Sequence, residues 1–371
     1  VLIRTGGMNR VVVDPVQRTA RVEAGAAWRD VIDAAAEHGL APLNGSSPHV
    51  GAVGYTLGGG VGLLGRRFGF AADHVRELDV VTADGRLRQV DAGSDPDLFW
   101  ALRGAGANFG VVTAMEIELF PVATLLGGEL VFGPELVTDV LHTYAGWARE
   151  VPETTASSVL LLEYPDDPAV PDPMRGRFCA HVRVADSGPD RDAAARSIDR
   201  LRRIGPTLLD TVRPMPYAEV GSIHHEPTDV PVPAFDRNIL LRDFDPGAAA
   251  TLGQHSGPFL VELRAWGGAL ARPPAVPNAV AGRDAAFSLT AISDPDPDHR
   301  AARDALLTAM RPWSTGGSFV NFAGVEDACG EAVARFHRAD DLARLRELKA
   351  EYDPDATFRI NFTIPPAAPK R

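Results

Sequence analysis

Hydrophobic alternation and helical periodicity divide this chain into two successions of elements with different textures. Residues 10–14 read as a buried strand, and 20–24 as a second one ending at Gly25. Between residues 28 and 38 the apolar Trp28, Val31, Ile32 and Ala35 share one face of a 3.6-residue period, while Arg29, Asp30, Asp33 and Glu37 lie opposite. A helix is predicted there, stopped by Gly39. Residues 78–83 and 86–90 flank Asp84-Gly85, the signature of a tight hairpin. Ser94 and Asp95, followed by Pro96, cap a short helix through Arg103, and residues 111–119 alternate as a half-buried strand that stops at Pro121.

Beyond Pro121 helix-like stretches at 134–150, 190–204 and 297–311 are interleaved with strand-like ones at 159–162, 178–182, 259–263 and 286–289. Pro-rich connections at 164–176 and 226–236 separate them. This pattern predicts an α+β second domain with a mostly antiparallel sheet covered by helices. A final helical stretch, 331–352, carries Phe336, Leu342, Leu345 and Leu348 in phase and ends at Tyr352-Asp353-Pro354.

The segment 45–65 holds eight glycines, and so much chain entropy is lost on ordering it that its backbone is expected to approach something closely. A planar or phosphorylated cofactor is the natural candidate, because successive main-chain N–H groups form concave anion sites where no Cβ intervenes. Gly60, Gly62 and Gly65 match G-x-G-x-x-G. That motif signals a nicotinamide cofactor only after a buried strand and before a helix. Here glycines precede it and Arg66-Arg67-Phe68-Gly69 is a poor helix start, so a nicotinamide dehydrogenase is disfavoured. A second cluster, Gly104-Ala105-Gly106-Ala107-Asn108-Phe109-Gly110, leads directly into the strand at Val111, which suggests two sides of one extended cofactor.

Composition narrows the partners. Among 371 residues, 37 basic and 49 acidic side chains leave a formal net charge of −12, which argues against nucleic acid. Charged, Gly or Pro positions interrupt every apolar run before it reaches membrane-spanning length, so a soluble, cytoplasmic protein acting on a small molecule is expected. Cys179 and Cys329 are too few for a disulfide framework or a multi-cysteine zinc site. His224-His225-Glu226 lacks the spacing that places metal ligands on one face and is expected to be a solvated loop. No Gly-x-Ser-x-Gly elbow supports hydrolysis. Glu262 and Arg264 alternate with Val261 and Leu263, so they face either a pocket or water.

The glycine segment 45–62, Gly69-Phe70-Ala71-Ala72-Asp73, the run 97–104 with 109–113, and the C-terminal Tyr352-Asp353-Pro354-Asp355, Phe358-Arg359-Ile360-Asn361 and Ile364-Pro365-Pro366 together resemble one family. It is that of FAD-linked oxidases of the vanillyl-alcohol-oxidase/PCMH superfamily, in the berberine-bridge-enzyme-like branch. The resemblance implies a PCMH-type FAD-binding domain over 1–122, a substrate domain over 123–330, and a C-terminal segment 331–371 returning to the FAD domain. It implies FAD held by Ser47, Pro48, Val50, Gly51, Gly54, Tyr55, Gly58, Gly59, Gly60 and Gly62, with Gly110, Val112 and Asn361 from the later blocks.

It also implies oxidation of a C–H bond next to oxygen or nitrogen, with O2 usually reoxidising the flavin; a flavin-free binding protein on the same fold would be colourless. Where family members tether FAD a second time through a cysteine, this chain has Ser47, a far weaker nucleophile, so no bond is expected there. A histidine tether, if one exists, is expected upstream of Val1. Tyr55 is expected beside the flavin, donating a hydrogen bond. Where the family often carries a tyrosine base there is Phe322, which cannot ionise. The base is then sought at Glu262, with a pKa raised towards neutrality by its apolar neighbours, or at Tyr217.

Overall fold

A computed structural model describes residues 2–226, 234–255, 257, 259–328, 332–360 and 362–368. The chain begins with β1 (Val11–Asp14), β2 (Thr19–Glu23), α1 (Trp28–Ala36), α2 (Ala52–Leu57) and α3 (Gly65–Phe68). β3 (Val75–Val81), β4 (Leu87–Asp91), α4 (Pro96–Leu102) and β5 (Val111–Glu118) follow. The strands form an antiparallel sheet in the order β1-β2-β5-β3-β4. The hairpin at Asp84-Gly85 and the Asp95 cap, whose side chain accepts from Leu98 N, match the sequence pattern. Two expectations are corrected. β1 is not buried: it is the sheet's outer strand with β2 as its single neighbour, and Val12 is 45% exposed. Arg66-Arg67-Phe68, read as a poor helix start, do form the short α3, and α2 lies inside the glycine stretch.

The second succession runs β6 (Thr124–Phe132), α5 (Val137–Glu150), β7 (Thr155–Glu163), β8 (Phe178–Asp186), α6 (Arg191–Arg202), β9 (Leu209–Asp210), β10 (Arg213–Pro216) and β11 (Phe235–Leu241). It continues through α7 (Pro246–His255), β12 (Leu260–Ala265), β13 (Phe287–Ser293), α8 (Pro297–Ala309) and finally α9 (Ala339–Tyr352). These strands make a second antiparallel sheet, β10-β6-β8-β7-β12-β13-β11, with β9 added beside β6. Alternation gives this sheet two unlike faces. On one, Val182, Val184, Val261, Leu263, Leu289 and Ala291 pack against Leu141, Trp147, Ile198, Leu252 and Leu306 of the covering helices. The opposite face is polar and nonetheless buried, with Glu129, Ser158, His181, Arg183, Asn238, Ser288 and Thr290 all under 9% exposed.

The C-terminal helix returns to the first sheet's core, where Leu342, Leu345 and Leu348 join Ile32, Leu98 and Met115. Its end is clamped. Lys349 Nζ, fully buried, donates to Asp353 Oδ2 at 2.6 Å, to Phe358 O and to Asn108 O, while Asp353 accepts from the N–H groups of Thr357 and Phe358. A smaller cluster of Val61, Phe70, Trp266, Leu270, Val280 and Phe319 packs between the two sheets.

Candidate active site

Much of the glycine loop is explained by one aromatic ring. α2 is seated by Ala52 N donating to Ala26 O, and Tyr55 on it stands edge-on to Trp28 at 5.4 Å. A Cβ at Gly45 would lie 2.9 Å from the Tyr55 ring and one at Gly60 only 2.4 Å, and Gly60 also has φ +72°. A Cβ at Gly62 would strike the Asn44 carbonyl at 1.8 Å. Gly58 faces Asn321, whose Oδ1 accepts from Gly60 N at 3.1 Å and whose Nδ2 donates to Tyr55 O at 2.9 Å. Gly59 faces the Phe319 ring. Gly51 and Gly54 are different: both are exposed, with nothing within 4 Å of a Cβ. Beside them Val50 is 43% exposed, Ser47 is half-buried and Pro48 is buried.

The second glycine cluster meets the first directly. Gly104 N and Gly106 N both donate to Leu57 O, the last residue of α2. Gly110 lies against Val80 and Val81, and the Val112 side chain is in the core. Asn361 lies outside the described residues.

Across the polar face of the second sheet, register aligns Glu129, Arg183, Ser158, Arg264 and Ser288 in one row on five adjacent strands. Glu262, two residues along β12, pairs with Leu160 and Thr290 in the next row. Its Oε1 accepts from Ser158 Oγ at 2.9 Å and its Oε2 from Arg264 Nε at 2.9 Å, with Arg183 Nη1 at 3.5 Å. Arg264 then reaches out of the sheet: its Nη2 donates to Ser46 Oγ at 2.9 Å, and its guanidinium lies over the Phe322 ring. Between the sheet and the glycine loop is a cleft walled by Val61, Leu63, Ser158, Arg183, His224, Arg264 and Trp266.

Residues 1–91 match the family described as FAD binding domain, and 318–365 the one described as berberine and berberine like. The chain is 29% identical to (R)-6-hydroxynicotine oxidase of Paenarthrobacter nicotinovorans, over 97% of this chain and 80% of that protein. It is 26% identical to an uncharacterised FAD-linked oxidoreductase, YgaK, of Bacillus subtilis, over 99% and 81%. The crystal structure of the 6-hydroxy-D-nicotine oxidase of Arthrobacter nicotinovorans superposes with a TM-score of 0.81 at 26% identity, over 97% of this chain and 81% of that one. Xylooligosaccharide oxidase of Myceliophthora thermophila shares the fold at 0.83 and 22%, over 99% and 82%. The chain is an FAD-linked oxidoreductase whose two ends match these families.

This flavoprotein uses FAD, and its residues fit the cofactor. Among the described residues the Tyr55 hydroxyl is buried without a hydrogen-bond partner, a cost of about 1–3 kcal/mol that an acceptor on a ligand removes. Burial pushes its phenol far above the ordinary range, against the pull of Arg264, so it stays a donor. The bare main chain at Gly51 and Gly54 supplies a surface on which a flat or phosphorylated group can rest.

Electrostatics in this berberine-bridge-like site correct the expected state of Glu262. Burial raises its pKa, but Arg264, His224 and Arg183 together outweigh it and hold the carboxyl well below the usual range. Sequence reasoning counted its apolar neighbours and missed Arg183 on β8. Tyr217 is fully enclosed, its hydroxyl bonded to Pro42 O and to Asn44 Oδ1, and burial raises its pKa far above the ordinary phenol value. The expected solvated loop is also corrected: His225 is exposed, but His224 is 3% exposed with Nε2 3.6 Å from Glu262 Oε1. Ser46 and Arg183 were given no role by the sequence; for Arg183 the signal was available, as it continues the alternation of residues 178–182 by one step.

Proposed function

We propose that the enzyme oxidises a C–H bond next to oxygen or nitrogen in a small molecule bound in this cleft, with O2 as final acceptor and hydrogen peroxide as by-product. The observation that carries this reading is the Arg264–Ser46 hydrogen bond, which joins the polar sheet face to the glycine loop and leaves the cleft between them. In this reading 1–122 and 331–371 make the cofactor half and 123–330 the substrate half.

FAD, when bound, supplies the two-electron acceptor for hydrogen leaving the substrate carbon. Ser47, Val50, Gly51 and Gly54 offer it exposed or half-exposed surface, and Tyr55 offers its unpartnered phenol. Asn321 fixes the loop's register from the main chain. Tyr217 holds the same loop from below, through Pro42 and Asn44. Trp266, Val61 and Leu63 give the cleft apolar walls, beside which the charges of Arg183 and Arg264 act at lowered dielectric.

The relative named as an oxidase of a hydroxynicotine supports both oxygen as acceptor and an amine as one substrate class. The test uses the FAD-loaded protein without air. (R)-6-hydroxynicotine, cyclic secondary amines and xylobiose are added in turn while the blue absorption band of the flavin is followed. Bleaching by one class, then recovery with peroxide when air is admitted, is expected. No bleaching by any compound would sink the reading, and bleaching without recovery in air would make the enzyme a dehydrogenase.

A further inference from the structure

His224 follows the 3-10 turn Tyr217–Ile223 and forms part of the cleft wall. One ring nitrogen, Nε2, faces the Glu262 carboxylate at 3.6 Å, while the other, Nδ1, is buried without a hydrogen-bond partner among the described residues. Glu262 is kept ionised by donors on both oxygens, Ser158 Oγ and Arg264 Nε, and an ionised carboxylate can only accept. The proton of a neutral imidazole therefore belongs on Nε2. That leaves a lone pair at Nδ1, in a dry wall where an unmet acceptor is costly.

We propose that His224 Nδ1 is the base that takes the proton from the substrate's O–H or N–H, with Glu262 as the positioning residue that sets its tautomer; this rests on the oxidase reading above. The bonds balance. The substrate O–H or N–H bond breaks and an Nδ1–H bond forms; the adjacent C–H hydrogen departs with its electron pair to the bound FAD, and C=O or C=N is left. The charged groups facing His224 are Glu262, Arg183 and Arg264. Burial and the two arginines push the imidazole below its ordinary range against the pull of Glu262, so it is neutral and receptive at physiological pH. Once protonated it gains the Glu262 carboxylate as a counter-charge, an arrangement that favours the state formed during reaction over the resting one.

The first test needs no substrate. In protein labelled with 15N at histidine, with the His224 signals assigned by their loss in His224→Gln, the expected resting state at neutral pH has Nε2 protonated and Nδ1 bare. A proton on Nδ1 overturns the assignment. The second test follows anaerobic flavin reduction by the fastest compound of the panel above. His224→Gln is expected to retain bound FAD and its thermal midpoint, to reduce roughly a hundredfold more slowly, and to lose the acid limb of the pH profile. An unchanged rate with the acid limb intact overturns it. If His224→Gln does not fold, His224→Asn supplies the signal assignment, and the resting tautomer in the unaltered protein still decides. Absence of reduction by every compound strikes the oxidase reading, whereas reduction by a protein whose Nδ1 carries the proton strikes the base assignment alone.

Discussion

Arg264 Nη2 donates to Ser46 Oγ over 2.9 Å, joining residues 218 positions apart in sequence. The same guanidinium donates through Nε to Glu262, so one side chain both neutralises the buried carboxylate and ties the second sheet to the glycine loop. Arg264→Met leaves Glu262 with Arg183 as its nearest cation and should cost about 3–5 kcal/mol, as breaking a buried pair does. Ser46→Ala removes one charge-assisted hydrogen bond and should cost about 1–3 kcal/mol. Urea denaturation of the two variants checks the order. Equal losses would mean that the carboxylate, not the loop, is indifferent to Arg264.

Tyr55→Phe deletes a buried hydroxyl that has no partner among the described residues. Stability without cofactor should hold or rise slightly, because a desolvated polar group is removed. Flavin reduction should slow by roughly a hundredfold if the phenol stabilises charge developing on the cofactor. Stopped-flow reduction at matched FAD occupancy distinguishes the effects, and an unchanged rate would leave Tyr55 as a wedge between Trp28 and the glycines.

Gly60→Ala tests the wedge itself. The new methyl would stand 2.4 Å from the Tyr55 ring at a residue with φ +72°, so both the ring and the backbone must shift. A loss of roughly 2–4 kcal/mol is expected from clash and strain combined. Gly51→Ala, with open space and no positive φ, should be nearly neutral to folding yet weaken FAD retention. Thermal melts paired with flavin content per chain separate the two.

A second sheltered imidazole gives a pH prediction. Burial pushes His337 from its ordinary 6.5 down to about 4, despite a hydrogen bond to the Ala279 main chain. The unfolded chain takes up this proton as pH falls past 6.5 and the folded chain does not until about 4, so unfolding gains across that window and not above it. The lowered pKa corresponds to about 3 kcal/mol over the whole interval. Urea unfolding at pH 7 and pH 5 should show a smaller difference in His337→Gln than in the native chain.

Ser47 should carry no flavin. Tryptic peptides from the denatured holoprotein, read by mass, are expected to show the segment around Ser47 unmodified. A flavin-bearing peptide there would require a nucleophile that this hydroxyl does not provide.

Legibility followed periodicity. The α1 stripe, the Asp84-Gly85 hairpin, the Asp95 cap and the strands bearing Glu262 and Phe178 could all be read from residue order, because local geometry decides them. β6 escaped because Gly127 and Gly128 interrupt its apolar run, Gly128 at φ +145° with a Cβ position filled by Thr211. β11 escaped because it directly follows a Pro-rich connection. α2 escaped because Gly51 and Gly54 signal loop even where packing on Trp28 makes helix. In the site, Glu262 and Arg264 were visible as an alternating pair, but the carboxyl's charge state depended on Arg183 and His224, supplied by other elements. His224 itself looked like a surface residue, since nothing local to it records that Tyr217 carries the segment into the core.

The Asn108 amide holds the second glycine cluster by taking Ile364 N on its oxygen and giving a hydrogen to Phe362 O, across 256 and 254 residues of chain. During synthesis at about 5–20 residues per second, roughly 10–50 s separate the appearance of Asn108 from that of its partners. The first sheet therefore leaves the ribosome with its cofactor loops unfastened, and Asn321, Lys349 and Ile364 arrive last to fasten them. A stop codon a few dozen residues early would spare every strand of both sheets and still deprive the nascent protein of Lys349 and Ile364, the contacts that fasten its second glycine cluster.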